Sequence, residues 1–392
     1  MRLAHDSTAE DRGAGLDRLD GVSLPAWTYR SERFFALERE SVFRPSWQLV
    51  CHVNDIPVAG DYYSFDFLGE AIITVRGRDG SVTSFHNVCR HRAARLLDGD
   101  KGNCGGRITC PYHAWSYGLD GRLIGVPHRE RFGAQDWESL GLARVEQEIY
   151  LGFVFVRLAG GGPSVAEMMA PYTAELAPYR LEELVPQGRV TLRPRDVNWK
   201  NVADNYGDGL HINIAHPGLT RLFGKSYGLE AAPWADKMWG DLQDAPSRNW
   251  SEARYQKLLP EVAHLPPERR RHWMYVKLWP NVAFDIYPDQ IDFMQFLPVS
   301  PTKTVIREIA YVLPDAPDSK TGREMRAARY LNWRINRQVN AEDTALIARV
   351  QAGMASSSYT TGPLSDDEVC LRSFARRMRR VIPEACLERE PA

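Results

Sequence analysis

A chain of 392 residues, 44% hydrophobic and 25% charged, is long enough for two domains with separate cores and has the composition of an ordinary globular protein. Its formal net charge of −1 gives no global electrostatic case for nucleic acid or a membrane surface, and no run approaches the roughly eighteen apolar residues of a membrane span. Six cysteines do not make a disulfide framework, and residues 1–20 are polar without an apolar signal core, so the cytoplasm is the expected compartment.

In chain order, residues 1 to about 24 read as a loosely docked arm. Ser31 is placed to cap a helix whose apolar positions Phe34, Phe35, Leu37 and Val42 keep near-helical spacing. From Trp47 the texture turns to strands, at 62–65 and 71–75, with Asp79-Gly80 as a hairpin turn before a strand at 82–88. Asp120-Gly121 marks a second hairpin, 151–158 is an apolar strand, and Gly160-Gly161-Gly162-Pro163 breaks the pattern. The expected division is an N-terminal arm and helix at 1–44, an all-β domain at 45–158, and a second domain at 159–392 to which the first helix belongs. In that second domain 190–195, 273–286, 291–297 and 304–312 look like strands, while 198–211 and 323–351 look helical. Strands and long helices without alternating βαβ units argue for α+β with an antiparallel sheet.

Cys89-Arg90-His91 and Cys110-Pro111-Tyr112-His113 give C-x-H followed by C-x-x-H. Two thiolates and two imidazoles suit a [2Fe–2S] centre of the Rieske kind, in which Cys89 and Cys110 hold one iron and His91 and His113 the other. The competing reading is structural Cys2His2 zinc, but such motifs usually pair cysteine with cysteine, and here each half carries one of each. Cys104 has no obvious mate and reads as an ordinary buried thiol.

A cluster of this kind only moves electrons, so it needs an acceptor. His211 and His216, with a later carboxylate, would make the facial triad of non-haem Fe(II), which leaves coordination positions open. Residues five apart on a regular helix lie about 140° apart, so these two cannot share a helical face. Pro217 disfavours helical geometry at His216, so the helix is expected to end there and let His216 swing back.

The two ligand loops resemble those of bacterial aromatic-ring-hydroxylating oxygenases. Respiratory Rieske proteins carry a further cysteine in each loop, whereas Ala93, Ala94 and residues 114–117 supply none. From about 25 to 380 the chain is similar to the catalytic α subunit of Rieske non-haem iron oxygenases. The likeness rests on the D-x-x-H-x4-H run from Asp208 to His216, on Asn281-Val282-Ala283-Phe284 and Pro298-Val299-Ser300-Pro301, and on Glu342-Asp343 followed by Val350-Gln351-Ala352-Gly353.

That resemblance implies an all-β Rieske domain inserted near the N-terminus of a helix-grip catalytic domain, an antiparallel sheet with helices. It implies Asp343 as the third iron ligand, with Glu342 as the competitor. Asp208 is then an electron bridge between subunits of a head-to-tail homotrimer, from His113 of one subunit through Asp208 of the next to His211 and iron. Whether β subunits join is left open.

The implied reaction uses dioxygen and electrons from a separate NAD(P)H-dependent reductase, directly or through a ferredoxin. It hydroxylates a small organic substrate, expected to be aromatic, by mono- or dioxygenation. No Gly-rich dinucleotide fingerprint follows a strand in this chain. The alternative is an oxidative N- or O-demethylase or quaternary-ammonium monooxygenase, since the short N-Y-x-[acid]-x-x-H form at 205–211 is also similar to homotrimeric relatives of that kind. Those relatives typically show Glu where Asp204 and Asp208 stand. A Rieske electron-transfer protein is the non-enzyme alternative, and it leaves His211, His216 and Asp343 without a role.

Arg90, Arg92, Arg95 and Lys101 near the cluster ligands either dock an acidic partner or form a solvated loop. Leu210, Phe284 and Tyr287 are pocket or plain core. Trp234, Trp239 and Trp250 are a lid, an aromatic box or packing.

Overall fold

The computed structural model describes residues 17–259, 262–314 and 319–391, so most of the expected N-terminal arm lies outside the described residues. Two compact units form. One is Arg44–Arg189 with Tyr311–Pro314, and the other takes the described residues of Met1–Phe43, Val190–Ala310 and Asp315–Ala392.

In the Arg44–Arg189 unit, ten strands alternate with turns: β1 (Gln48–His52), β2 (Asp61–Phe67), β3 (Glu70–Arg76), β4 (Val82–His86), β5 (Lys101–Asn103), β6 (Ile108–Thr109), β7 (Ser116–Tyr117), β8 (Leu123–Gly125), β9 (Glu146–Tyr150) and β10 (Phe153–Arg157). They make three antiparallel sheets, ordered β1-β10-β9, β4-β3-β2-β5 and β6-β7-β8. Both expected hairpin turns are present, with Gly80 at φ 82° and Gly121 at φ 85°. Gly121 has a second reason to lack a side chain: a Cβ there would sit 2.4 Å from the Phe85 ring. Ile73, Val75, Phe85, Ile108, Trp115 and Tyr117 form one core, and it also encloses Cys89 and Cys110.

The expected domain boundary at 158 and the edge of this unit at Arg189 differ. The Gly160–Pro163 break is a turn rather than a linker, because β9 holds the helical segment beyond it. The Glu148 carboxylate accepts from Val165 N at 2.7 Å and Ala166 N at 2.8 Å, and Trp47 Nε1 donates to Pro163 O at 2.9 Å.

The other unit is α+β, as expected. Helix α1 (Glu32–Glu38) starts at Ser31, whose Oγ accepts from Phe34 N at 3.0 Å. Its sheet has seven strands in the order β11-β17-β16-β15-β14-β13-β12. These are β11 (Val185–Arg195), β12 (Gly228–Ala231), β13 (Ala235–Asp241), β14 (His272–Leu278), β15 (Val282–Ile286), β16 (Ile291–Ser300) and β17 (Lys303–Val312). The stretch 273–286, expected as one strand, is the β14–β15 hairpin, since Pro280 has no N–H for a ladder and the chain turns there.

Helices α2 (Trp199–Gly207), α3 (Ile212–Ala215), α4 (Pro217–Phe223), α5 (Trp250–Leu258), α6 (Lys320–Gly353) and α7 (Val369–Val381) complete the unit, with α6 packed along α5 and α2. Fully buried Trp199, Trp273, Tyr255 and Tyr287 anchor the core. A buried ion pair, Lys200 Nζ to Glu38 Oε1 at 2.6 Å, ties α2 to α1. Among the described residues no helix is long and apolar enough to cross a membrane.

Candidate metal centres

The four expected cluster residues sit on two turns of matching build. Cys89 O accepts from Ala93 N at 3.0 Å and Cys89 N donates to Ala94 O at 2.8 Å. In the second turn Cys110 O accepts from Ala114 N at 3.1 Å and Cys110 N donates to Trp115 O at 2.8 Å. Each turn closes through an alanine in the left-handed region, Ala93 at φ 57° and Ala114 at φ 58°. A left-handed alanine costs roughly 1–2 kcal/mol, so the surrounding structure enforces both turns.

The turns bring the two imidazoles together and bury both thiols. Cys89 and Cys110 are each 2% exposed, and the His91 and His113 rings lie 4.7 Å apart between centroids. His91 stacks on Trp115 at 4.8 Å, and its Nδ1 is buried without a hydrogen-bond partner. Burial first, then the positive neighbours His113 and Arg92, push the His91 pKa down and favour the neutral imidazole that a metal needs. Tyr117 Oη lies 3.3 Å from Cys89 Sγ and accepts from Arg90 N at 3.0 Å. Two thiols, two imidazoles and an orphaned buried nitrogen fit a Rieske cluster.

Of the four basic residues nearby, Arg95 makes a paired contact to both Asp66 oxygens at 3.0 Å, and Lys101 lies 3.9 Å from Asp55. Arg92 lies over the exposed Tyr112 ring. Cys104 donates to Gly60 O at 3.2 Å, a structural use of that thiol.

In the other unit His211, His216 and Asp343 each offer a ligand atom, all within 4.8 Å of one another. His211 Nε2 lies 3.1 Å from His216 Nε2, and Asp343 Oδ1 lies 3.5 and 3.0 Å from these two nitrogens. Asn205 Nδ2 donates to the same Asp343 oxygen at 3.0 Å.

The route to this geometry differs from expectation. Helix α2 ends at Gly207, well before His216, because Asp208 is extended (φ −87°, ψ 130°) and its Oδ1 accepts from Leu210 N at 2.8 Å. Pro217 does act as expected on His216, which is non-helical (φ −115°, ψ 76°), and it opens α4. Two breaks, at Asp208 and at His216, therefore aim the two rings at one point.

Each imidazole is held from behind by a carboxylate. His211 Nδ1 lies 2.9 Å from Asp208 Oδ2, and His216 Nδ1 lies 2.8 Å from Glu342 Oε2. Glu342 therefore faces away from the Nε2 atoms that Asp343 faces. Burial, the largest influence, opposes charge on both His211 and Asp343. Their hydrogen bonds, and that of Asp208 to His211, outweigh it and leave His211 at about 9 and Asp343 at about 2. This concentration of negative charge around two imidazoles is what a divalent cation requires.

A cavity adjoins the triad. Tyr206, Tyr227, Tyr275 and Tyr287 line it together with Asp285 and Arg195. The Tyr206 and Tyr287 hydroxyls donate to Asp285 at 2.5 and 3.3 Å, and Tyr275 packs edge-on against both rings, at 6.4 and 6.1 Å. Tyr275 and Asp285 are paired across β14 and β15, and Tyr287 follows Asp285 by two, so sheet alternation puts all three on one face.

Of the candidate pocket residues, Tyr287 lines the cavity, Phe284 is buried core, and Leu210 is 47% exposed. Trp234 and Trp250 line two other clefts, and Trp239 lies under Lys237. Tyr206, Tyr227 and Tyr275 were missed. The period-2 pattern of β14 carried that signal for Tyr275, though reading it needs the strand register; Tyr206 stands on α2 and Tyr227 just before β12.

Residues 46–145 match the Rieske [2Fe-2S] domain, and residues 181–384, just over half of the chain, match the catalytic domain of the ring-hydroxylating alpha subunit. The chain belongs to the Rieske oxygenase α subunits, a family whose Rieske domain carries a [2Fe–2S] cluster and whose catalytic domain binds mononuclear iron. It is 38% identical over 200 residues to the carnitine monooxygenase oxygenase subunit of Escherichia coli (strain K12), covering 50% of this chain and 53% of that one. It is 35% identical over 254 residues to the glycine betaine monooxygenase oxygenase subunit of Chromohalobacter salexigens, covering 64% and 55%. The matched region spans about half the length of these relatives. A solved structure of a quaternary ammonium Rieske monooxygenase shares the fold, with a TM-score of 0.78 at 23% identity over 96% of this chain and 100% of that one.

Proposed function

We propose that the protein is the oxygenase component of a quaternary-ammonium monooxygenase rather than an aromatic-ring hydroxylase. The observation that carries this is the tyrosine-walled cavity with Asp285 beside the triad. Tyrosine faces attract a methylated ammonium through their quadrupoles, and a buried carboxylate supplies the counter-charge. An aromatic hydrocarbon would leave the Asp285 charge, held by the neutral Tyr206 and Tyr287 hydroxyls, without an opposite charge from the substrate. The carnitine and glycine betaine relatives support the same substrate class.

His211, His216 and Asp343, which line the cavity, would hold Fe(II), and Cys89, His91, Cys110 and His113 would hold the cluster. The bound iron supplies dioxygen activation. The chain's residues orient the substrate: the tyrosines seat the ammonium head, so a C–H bond next to nitrogen faces the triad. One oxygen atom enters that bond and the other leaves as water, using two electrons and two protons. The resulting carbinol on the carbon next to nitrogen breaks its C–N bond, giving an amine with one fewer substituent, an aldehyde and a proton.

The electrons come from a separate reductase. In a head-to-tail homotrimer they pass from His113 of one subunit to the next subunit's Asp208, which is partly exposed and already bound to His211. The test supplies reduced, iron-loaded protein with glycine betaine, carnitine and naphthalene under dioxygen. Aldehyde with stoichiometric amine from an ammonium substrate is expected. Hydroxylated naphthalene without aldehyde would restore the aromatic reading.

A further inference from the structure

The cavity wall carries a positive charge as well as a negative one. Arg195 closes β11 and lines the cavity; its Nε is buried with no hydrogen-bond partner, and its Nη1 bonds only locally, to Pro194 O at 2.9 Å. Arg193, two residues earlier on the same strand face, is ion-paired with Glu308. One of the two arginines is thus neutralised within the protein, and the one at the cavity is not.

Asp285, the cavity's carboxylate, is engaged by Tyr206 and Tyr287 rather than by Arg195. It stands on β15, separated from β11 by β17 and β16. Three strand intervals set their backbones roughly 14 Å apart across the sheet. A guanidinium reaching inward leaves room between the two charges for a compact molecule bearing both an ammonium and a carboxylate.

We propose that Arg195 is the carboxylate anchor of this cavity. The protein then selects zwitterionic ammonium carboxylates and rejects ammonium compounds that lack the carboxylate. This rests on the quaternary-ammonium reading and deepens it.

The physical case has two sides. A carboxylate offers the guanidinium two parallel charge-assisted hydrogen bonds, which satisfy the orphaned Nε. Burial alone pushes the Arg195 pKa down, so the side chain carries a desolvation cost that an arriving carboxylate offsets. A simple cation gains the tyrosines and Asp285 but meets the unpaired Arg195 charge, so repulsion contributes to specificity as much as attraction does.

The experiment measures binding by calorimetry to the holoprotein, both metal centres loaded, under anaerobic conditions. Glycine betaine, carnitine, choline and tetramethylammonium are titrated into wild type, Arg195→Gln and Arg195→Lys. The two zwitterions are expected to bind wild type at least about 10-fold tighter than the two simple cations. Arg195→Gln should weaken zwitterion binding by about 10- to 100-fold and leave choline unchanged or tighter, with Arg195→Lys in between. The cluster's EPR signal and the iron content of each variant report on folding.

Zwitterion binding by Arg195→Gln equal to wild type would overturn the proposal. So would choline binding wild type as tightly as glycine betaine, or equal loss for both ligand classes, which marks a structural role. If none of the four ammonium compounds binds wild type, the quaternary-ammonium reading itself falls.

Discussion

His216 Nδ1 is held by Glu342 Oε2 at 2.8 Å, so the acid next to Asp343 in sequence grips the opposite side of the imidazole whose Nε2 Asp343 faces. Adjacent residues on α6 point about 100° apart, which lets Asp343 face the Nε2 atoms while Glu342 reaches around to Nδ1. Gln338 Nε2 donates to the other Glu342 oxygen at 2.9 Å and steadies it. Removing such a supporting carboxylate typically costs 10- to 100-fold in metal affinity. Glu342→Ala is therefore expected to weaken Fe(II) binding by about that factor, with Glu342→Gln milder because it still accepts a hydrogen bond. Asp343→Ala should leave about two irons per chain instead of about three. Chelator competition and iron analysis check both, and Glu342→Ala outdoing Asp343→Ala would reverse their assigned roles.

On the proposed electron path, a change at Asp208 would separate iron binding from electron delivery. Its Oδ2 meets His211 Nδ1 at 2.9 Å while the side chain stays partly exposed, open to a second donor. Asp208→Asn can keep a hydrogen bond to His211, so iron should be retained with at most about a 10- to 100-fold loss of affinity. Cluster reoxidation in a single turnover, followed by its visible absorbance, is expected to slow at least about tenfold in iron-replete protein. Wild-type reoxidation rates would remove Asp208 from the electron path.

The parts legible in the sequence were those carried by local pattern. Cys89, His91, Cys110 and His113 were proposed from spacing, and the structure sets them on two matching tight turns with the two imidazoles 4.7 Å apart. His211 and His216 were readable because a proline follows the second. The Asp208 break was not, since it depends on a carboxylate capping Leu210 N. Asp343 was chosen over Glu342 on motif position alone, because the directions of the two depend on how α6 lies against α2. The cavity tyrosines were hidden for a similar reason: Tyr275 meets Asp285 only through the β14–β15 register. Helix α7 and strands β12 and β13 were passed over among loops rich in Gly, Pro and Asp.

With Cys89 as a cluster ligand, Tyr117 is expected to tune the cluster's potential. Burial first, then its bond to Cys89, keep its hydroxyl protonated, so at 3.3 Å it donates to the Cys89 sulfur. A donor on a ligand sulfur stabilises the more negative, reduced cluster. Tyr117→Phe should therefore lower the reduction potential, read in an EPR-monitored titration. An unchanged or raised potential would show that the hydroxyl serves Arg90 N alone.

Asp289 gives the catalytic unit a pH-dependent weakness away from the metal. It is 5% exposed, accepts from Tyr255 Oη at 2.6 Å, and has a second oxygen that is buried without a partner. Burial raises its pKa from 3.8 to about 6, with the Tyr255 hydrogen bond only partly offsetting this. Between those two values the folded protein holds a proton that the unfolded chain has released, so stability falls as pH rises through the window. The contribution is fully present below about 4 and lost above about 6, leaving a penalty at neutral pH on the order of 3 kcal/mol at most. Asp289→Asn keeps an acceptor for Tyr255 and cannot ionise. Its melting temperature should match wild type near pH 3.5 and exceed it near pH 7.5, with the gap opening between. A gap that stays constant with pH, or closes as pH rises, would mean that Asp289 is ionised in the folded protein and compensated by its surroundings.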